Sequence, residues 1–391
     1  MNATGMFALT AAAILTSAAA GDDLSAPGPF EAGWTRVQVT RPDNSTFDAT
    51  LYYPATTGSA EAPYDGAGAP YPAVSFGHGF LQPVSQYHST LSHLATWGYF
   101  AIASQSNGGL FPDHEQFAGD LNLCLTWLEE QNADAGSPLY EQVAVTCFGL
   151  SGHSMGGGAS ILATAMDSRI VALANLAAAE TNPSAIDAMD QIMIPVRLIS
   201  GSDDAIVPPD QHGQLMYDNG HAPKQHQIIQ GGFHCGFVDE WFWFCDSGDL
   251  TREEQLAITR RLLTEFFNLH LKDAQDLWRV VWGPELDDDP LVETQFEAGI
   301  VVTPQMQEIE GGAGDVVSAF LGVQNTSDRP DSYALLAEDV AWNVEIVPPQ
   351  MPMLQPGEAF DFEAQIEVPP DGEDVVEIIS SARSDLDGAT R

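Results

Sequence analysis

Gly149-Leu150-Ser151-Gly152-His153-Ser154-Met155-Gly156-Gly157-Gly158 is the stretch from which the rest of the chain is read. Ahead of it runs Val143-Ala144-Val145-Thr146-Cys147-Phe148, a short apolar segment with β-branched residues, which predicts a buried strand. Behind it Ala159-Ser160-Ile161-Leu162-Ala163-Thr164-Ala165-Met166 predicts a helix. Gly152-His153-Ser154-Met155-Gly156 fits G-x-S-x-G, in which a Ser sits on a sharp strand-to-helix turn. The two glycines let neighbouring backbone approach a strained residue at the tip. The tip holds the Ser154 hydroxyl clear of the sheet and over a helix N-terminus, whose N–H groups and dipole favour negative charge. A turn of small residues with an incidental Ser is the plain alternative, and the partners found downstream weigh against it.

Outward from this turn the pattern repeats. Residues 34–39 and 47–53 predict an antiparallel hairpin around Arg41-Pro42-Asp43-Asn44-Ser45. Ala73-Val74-Ser75-Phe76 predicts a buried strand, followed by the turn Gly77-His78-Gly79-Phe80. Residues 87–97 predict a helix, 99–104 a strand, and 116–130 an amphipathic helix with Leu121, Leu125 and Leu128 on one face. Strands are expected at 170–177, 196–200 and 225–230, and a closing helix at 252–271. Short apolar strands alternating with helices imply an α/β fold, a mostly parallel sheet covered on both faces. Such sheets place ligands at the carboxyl ends of their strands. The Gly77–Phe80 turn, Ser154, Asp204 and His234 all fall just after predicted strands.

A Ser hydroxyl is a weak nucleophile until a base takes its proton. Downstream the chain offers an acid and then a base. Leu198-Ile199-Ser200-Gly201-Ser202-Asp203-Asp204 is a strand and an acidic loop, and Ile228-Ile229-Gln230-Gly231-Gly232-Phe233-His234 is a strand, a glycine turn and a His. In this reading Ser154 attacks, His234 is the base, and an acid holds the imidazole tautomer. Neighbouring side chains diverge, so only one of Asp203 and Asp204 serves; Asp204 is chosen, with Glu180 as a third candidate. The backbone N–H groups of Met155 and Phe80 are the expected oxyanion donors. Phe80 also offers its ring to substrate, or else belongs to the core. His153 adjoins the nucleophile, so its side chain points elsewhere, and a place in the cleft wall against substrate is expected. For His78 the expected role is hydrogen bonding to the backbone of its own loop. No metal-ligand pattern stands out and no cofactor is expected.

Ser137-Pro138-Leu139-Tyr140, the elbow with its Gly156-Gly157-Gly158 tail, Asp204-Ala205-Ile206-Val207-Pro208 and Gly231-Gly232-Phe233-His234 together resemble the bacterial cutinase and poly(ethylene terephthalate) hydrolase family of α/β-hydrolases. Residues 87–100 and 116–128 fit it too, and the likeness runs in matching order over about residues 30–272. The resemblance implies the α/β-hydrolase fold and ester hydrolysis. It puts Asp204 on the family's acid, in a D-x-I-x-P loop, and Phe80 on an aromatic that supplies an oxyanion donor and touches substrate. The Trp that the family often has after the strand ending here in Ala177-Ala178-Ala179-Glu180 is absent, which bears on the grip on an aromatic polyester. His78-Gly79-Phe80 and the spacing also resemble chlorophyllases and platelet-activating-factor acetylhydrolases.

Composition bounds the setting. The chain has 391 residues, a net charge of −42, and 44% hydrophobic residues. Such a charge repels phosphate, so nucleic acid and anionic membranes are not expected partners. The hydrophobic content argues for a packed protein rather than disorder. Lys224 and Lys272 are the only lysines, and an acidic, Lys-poor surface suggests a salt-rich habitat. Residues 1–20 are expected to be a signal peptide, with an apolar segment ending Ala18-Ala19-Ala20, although the first five residues carry no Lys or Arg. Export would permit disulfides. Four Cys allow three pairings; Cys124 with Cys147 and Cys235 with Cys245 are expected, and four free thiols are the alternative.

At Gly283-Pro284-Glu285-Leu286-Asp287-Asp288-Asp289-Pro290 the helical pattern ends. The expected domains are a catalytic unit over 21–283, an acidic linker over 284–290, and a small β-sandwich over 291–391 that looks like the Ig-like accessory modules of secreted hydrolases. In it Val340, Trp342, Val344 and Ile346, and Phe360, Phe362, Ala364, Ile366 and Val368, alternate with mostly polar residues. The whole reads as a secreted, monomeric serine ester hydrolase acting through an acyl-enzyme on cutinase-like or polyester substrates, with no membrane span. Small-ester hydrolysis, a surface-binding protein on a hydrolase scaffold, and a serine peptidase of the same fold are the rival readings.

Overall fold

The computed structural model describes residues 23–242, 244–283, 285–303, 309, 311–312, 314–327, 329–338, 342–369 and 379–384. The leader expected at 1–20, Pro284 of the linker and Val340 lie outside the described residues. The chain opens with the hairpin β1 (Glu31–Thr40) and β2 (Thr46–Ala55), then a two-residue strand β3 (Ser59–Ala60). The alternation follows: β4 (Tyr71–Gly77), α1 (His88–Thr96), β5 (Phe100–Ser104), α2 (His114–Ala133), β6 (Val143–His153), α3 (Met155–Met166), β7 (Ile170–Leu176), α4 (Ala185–Ala188), β8 (Val196–Gly201), α5 (Gly213–Asn219) and β9 (Lys224–Ile229). The long helix α6 (Arg252–Lys272) and the short α7 (Trp278–Val281) complete it.

Among the described residues these strands, with one more, form a ten-stranded sheet in the order β10-β9-β8-β7-β6-β4-β5-β2-β1-β3. The run from β5 to β9 is parallel. All seven residues of β4 are buried, as expected of a strand covered on both faces. One face packs under α1 and α6, through Leu91, Leu94, Leu262, Leu263, Phe266 and Phe267. The other packs under α2 and α3, through Phe117, Leu121, Leu125, Leu128, Ile161 and Leu162. Local chemistry fixes the helix starts. Asp113 accepts from the Gln116 N–H at 2.9 Å ahead of α2, and Thr251 and Glu254 form a reciprocal capping box ahead of α6.

Two expectations are corrected here. Strand β10 (Val292–Glu297), which the sequence pattern assigned to the β domain, pairs antiparallel with β9 and ends the main sheet. Its alternating burial suits the edge of either sheet, so the pattern alone does not assign it. The acidic stretch before it folds back on the helices through Arg279–Glu285 at 2.7 Å and an Arg261–Asp289 ion pair. Cys124 and Cys147 are free thiols, not a disulfide. Cys124 faces the α2–α3 side of the sheet and Cys147 the α1–α6 side, so the sheet separates them. Cys235 and Cys245 are bonded.

The remaining strands are β11 (Ile300–Thr303), β12 (Val316–Asn325), β13 (Tyr333–Glu338), β14 (Asn343–Val347), β15 (Ala359–Glu367) and β16 (Ile379–Ser384). They form an antiparallel sheet β11-β12-β15-β14 and an antiparallel pair β13-β16. Phe362, Ala364 and Ile366 are buried and alternate with more exposed neighbours, as the period of two requires. Val323 and Phe362 from the larger sheet share one apolar cluster with Tyr333 and Ala382 from the smaller. The chain is thus an α/β-hydrolase fold followed by a small β unit. No helix among the described residues is long and apolar enough to cross a membrane.

Candidate active site

Ser154 sits between β6 and α3 with φ 56° and ψ −122°. That conformation costs a non-glycine residue on the order of 1–3 kcal/mol and persists only where the surroundings impose it. Here they do. A Cβ on Gly156 would fall 2.1 Å from the Gly77 carbonyl, and one on Gly152 would fall 2.3 Å from the Gly156 oxygen. Glycine at 156 thus lets the turn press against the end of β4, and glycine at 152 lets the turn close on itself. Ser154 is 8% exposed. Its carbonyl accepts from the Gly158 and Ala179 N–H groups, and its hydroxyl has no hydrogen-bond partner among the described residues.

The loops after β8 and β9 bring Asp204 and His234 together. His234 Nδ1 donates to Asp204 Oδ2 at 2.8 Å, both side chains being buried. Asp204 Oδ1 accepts from the Ile206 and Val207 N–H groups at 2.9 and 2.6 Å, which fixes the carboxylate's orientation. The His234 ring lies 4.5 Å from the ring of His153, the residue before Ser154. Asp203 and Glu180 are occupied elsewhere. Asp203 Oδ2 accepts from the Asp249 N–H at 3.0 Å, and Glu180 Oε2 accepts from the Ile186 N–H at 3.0 Å.

Both backbone N–H groups expected to receive an oxyanion are without an acceptor among the described residues. Met155 opens α3, so its N–H has no intrahelical acceptor. Phe80 lies in the turn after β4, and its N–H likewise has no acceptor among the described residues. The turn is held from beneath by His78, whose ring nitrogens lie 2.8 Å from the Gly79 oxygen and 2.9 Å from the Ser106 oxygen. That is the backbone-holding role expected of His78. The Phe80 side chain is 45% exposed, so it is not part of the core.

His153 does not line the cleft, contrary to expectation. It is 2% exposed. Its Nδ1 is 2.8 Å from the Tyr87 hydroxyl, and its ring packs against His234 and Phe237. Burial first, then the His234 charge, hold its pKa well below the usual histidine range, with the His234 backbone opposing. His153 is a neutral support for the His234 ring.

Sequence reasoning missed Tyr87 and His212. Tyr87, fully buried, accepts from the Gly79 N–H at 2.9 Å and so couples the Phe80 turn to His153. His212 lies beyond the Asp204 loop, and its Nδ1 accepts from the Glu180 N–H at 3.0 Å. Burial lowers its pKa, and the charges of Asp204 and Glu180 oppose that shift. The Tyr87–His153 and His212–Glu180 contacts span 66 and 32 positions, and neither residue has a local sequence signature.

Exposed apolar side chains occupy the loops at the carboxyl ends of the strands: Phe80 and Leu81 after β4, Leu110 and Phe111 after β5, Ile206 after β8, and Trp241 and Phe244 after β9. Phe111 is 96% exposed. Among the described residues, no group of three or more His, Cys, Asp or Glu is arranged to hold a metal ion.

The PETase family model, described as PET hydrolase-like, matches residues 20–239. That is more than half of the chain and includes the elbow, the Asp204 loop and His234. No curated protein matches the chain. The parallel sheet and the family match agree: the chain belongs to the PET hydrolase-like family and, with it, to the hydrolases of ester bonds.

Proposed function

We propose that the chain is a secreted serine hydrolase that cleaves carboxylic esters through an acyl-enzyme on Ser154. The observation that carries this reading is the buried 2.8 Å hydrogen bond from His234 to Asp204, made beside an elbow that holds Ser154 at positive φ. In the proposed cycle His234 Nε2 takes the Ser154 proton as Oγ attacks the ester carbonyl. The Ser–His contact tightens when substrate is bound, as such contacts commonly do. The N–H groups of Phe80 and Met155 receive the oxyanion, and the α3 N-terminus adds its dipole. His234 then protonates the departing alkoxide. Water, deprotonated by the same imidazole, hydrolyses the acyl-enzyme and releases the acid. Asp204 keeps the Nδ1 proton in place and stabilises the imidazolium.

The substrate class proposed is an apolar, cutinase-like ester or polyester. The exposed apolar side chains of the surrounding loops support it, because they would lie against a water-insoluble substrate. The Cys235–Cys245 bond supports export to an oxidising compartment. The test is turnover of p-nitrophenyl butyrate and release of soluble product from a polyester film. Wild type should act on both. Ser154→Ala should lose about 10⁶-fold in kcat and Asp204→Asn about 10⁴-fold. Turnover of the soluble ester with an untouched film would move the substrate to small esters.

A further inference from the structure

Asp246 lies beyond residue 239, where the family match ends, and its carboxylate joins the two loops that carry Asp204 and His234. Oδ2 accepts from the His234 N–H at 2.9 Å and from the Ala205 N–H at 3.2 Å, and Oδ1 accepts from the Cys235 N–H at 3.0 Å. Ala205 directly follows Asp204. One carboxylate therefore holds the backbone of the base itself and the backbone beside the acid. A cap on the short turn that begins at His234 would explain the bonds to His234 and Cys235. It does not explain the bond to Ala205, which comes from a different strand's loop.

Asp246 is also held covalently. The residue before it, Cys245, is bonded to Cys235, the residue after His234. Earlier in each loop the two are already joined: the Asp203 N–H donates to the Gly232 oxygen at 2.7 Å and the Gly231 N–H to Ser202 Oγ at 2.8 Å. Asp246 adds a further join, at His234 itself and at the residue after Asp204. Ser154 stands on a separate element, so the placement of His234 over it depends on how rigidly the two loops are joined. A displacement of about 1 Å in such a constellation can cost on the order of 10²-fold in rate.

We propose that Asp246 is a positioning residue for ester hydrolysis, fixing the Asp204 loop against the His234 loop through one carboxylate that the Cys235–Cys245 disulfide keeps in place. The proposal rests on the Ser154–His234–Asp204 reading given above. Asn at this position has a single acceptor oxygen, and its amide N–H₂ would face main-chain N–H groups. Whichever way that amide turns, its N–H₂ is set against either the Cys235 N–H or the His234 and Ala205 N–H groups, so Asp246→Asn loses at least one of the three bonds and puts a donor against a donor beside His234.

The experiment measures kcat and KM on p-nitrophenyl butyrate, and the rate of Ser154 labelling by a fluorophosphonate, well below each variant's melting temperature. For Asp246→Asn, kcat should fall about 10- to 100-fold with KM within about twofold, and labelling should slow by the same factor. Glu240→Gln removes the same charge from an exposed position inside the disulfide loop, and should stay within about twofold of wild type. Replacing Cys235 and Cys245 together by Ser should lower kcat in wild type and add little in Asp246→Asn, since both changes release the same carboxylate. Wild-type kcat in Asp246→Asn, with turnover still lost in Ser154→Ala, would overturn the role of Asp246 and leave the serine reading standing. A loss that disappears on cooling would assign Asp246 to stability alone and overturn the proposal. Wild-type turnover in Ser154→Ala would overturn the reading beneath it.

Discussion

Tyr87 and His153 are joined by a 2.8 Å hydrogen bond between hydroxyl and Nδ1, 66 positions apart in the chain. The same hydroxyl accepts from the Gly79 N–H at 2.9 Å. One phenol thus holds both the turn that presents the Phe80 N–H and the ring on which His234 packs. Tyr87→Phe keeps the ring and leaves two buried polar groups unpaired, at a cost of about 1–3 kcal/mol. We expect a lower melting temperature and a kcat loss of about 10-fold, smaller than the 10²–10³-fold typical of losing an oxyanion donor outright. Unchanged kcat would detach Tyr87 from the site.

Gly156→Ala tests the packing of the elbow. The new methyl would meet the Gly77 carbonyl carbon and oxygen at 2.1 Å, both of them backbone atoms at the end of a buried strand. Nothing there can yield without moving β4, so we expect a loss of about 3 kcal/mol or more, or no soluble protein. Gly109→Ala, where a Cβ meets nothing within 4 Å, should leave the melting temperature in place. Thermal denaturation of the two variants checks both statements.

Acid should destabilise the fold before most carboxylates titrate. His93 and His226 are buried, and burial lowers the pKa of each from 6.5 to about 4. Between those values the unfolded chain binds a proton that the folded chain refuses, so stability is full above pH 6.5 and falls as the pH drops towards 4. Each site contributes on the order of 3 kcal/mol to that fall. His226 is hydrogen-bonded to Ser200 at 3.0 Å. His226→Gln offers a group of similar reach that does not titrate, and should flatten the acid slope. Urea denaturation at pH 7, 5.5 and 4 measures it; an equal slope in wild type and variant would contradict the assignment.

A net charge of −42 predicts stabilisation by salt. Exposed like charges interact over a Debye length of about 30 Å at 0.01 M ionic strength and about 3 Å at 1 M. Molar NaCl should therefore raise the melting temperature, and a melting temperature indifferent to salt would remove the argument for a salt-adapted surface.

What the sequence discloses follows from how local each signal is. The elbow, the Asp204 loop and the His234 turn are readable because each is a strand followed by its own glycine or acidic punctuation. The parallel sheet is readable because its strands are apolar on both faces, as β4 shows. Cys124 and Cys147 are misread because the side of the sheet on which a helix docks has no local mark. β10 is misread because Val292, Thr294 and Phe296 alternate as any edge strand does. His153 looks like a cleft residue from its place beside Ser154, and its inward contacts, Tyr87, His234 and Phe237, are all far away in sequence. Arg197 lies in an apolar strand yet is fully buried, paired with Glu265 at 2.7 Å from α6. Asp246 carries no motif, and its role depends on the folding together of the loops after β8 and β9.

Incubation of the folded protein with a fluorophosphonate, followed by intact and peptide mass measurement, tests whether Ser154 is an activated nucleophile. The predicted result is one adduct per chain, on the peptide containing Ser154, absent in Ser154→Ala and in urea-unfolded protein, and formed far more slowly in Asp204→Asn. No adduct on folded protein, or an adduct on another residue with Ser154 unmodified, would contradict the proposed mechanism.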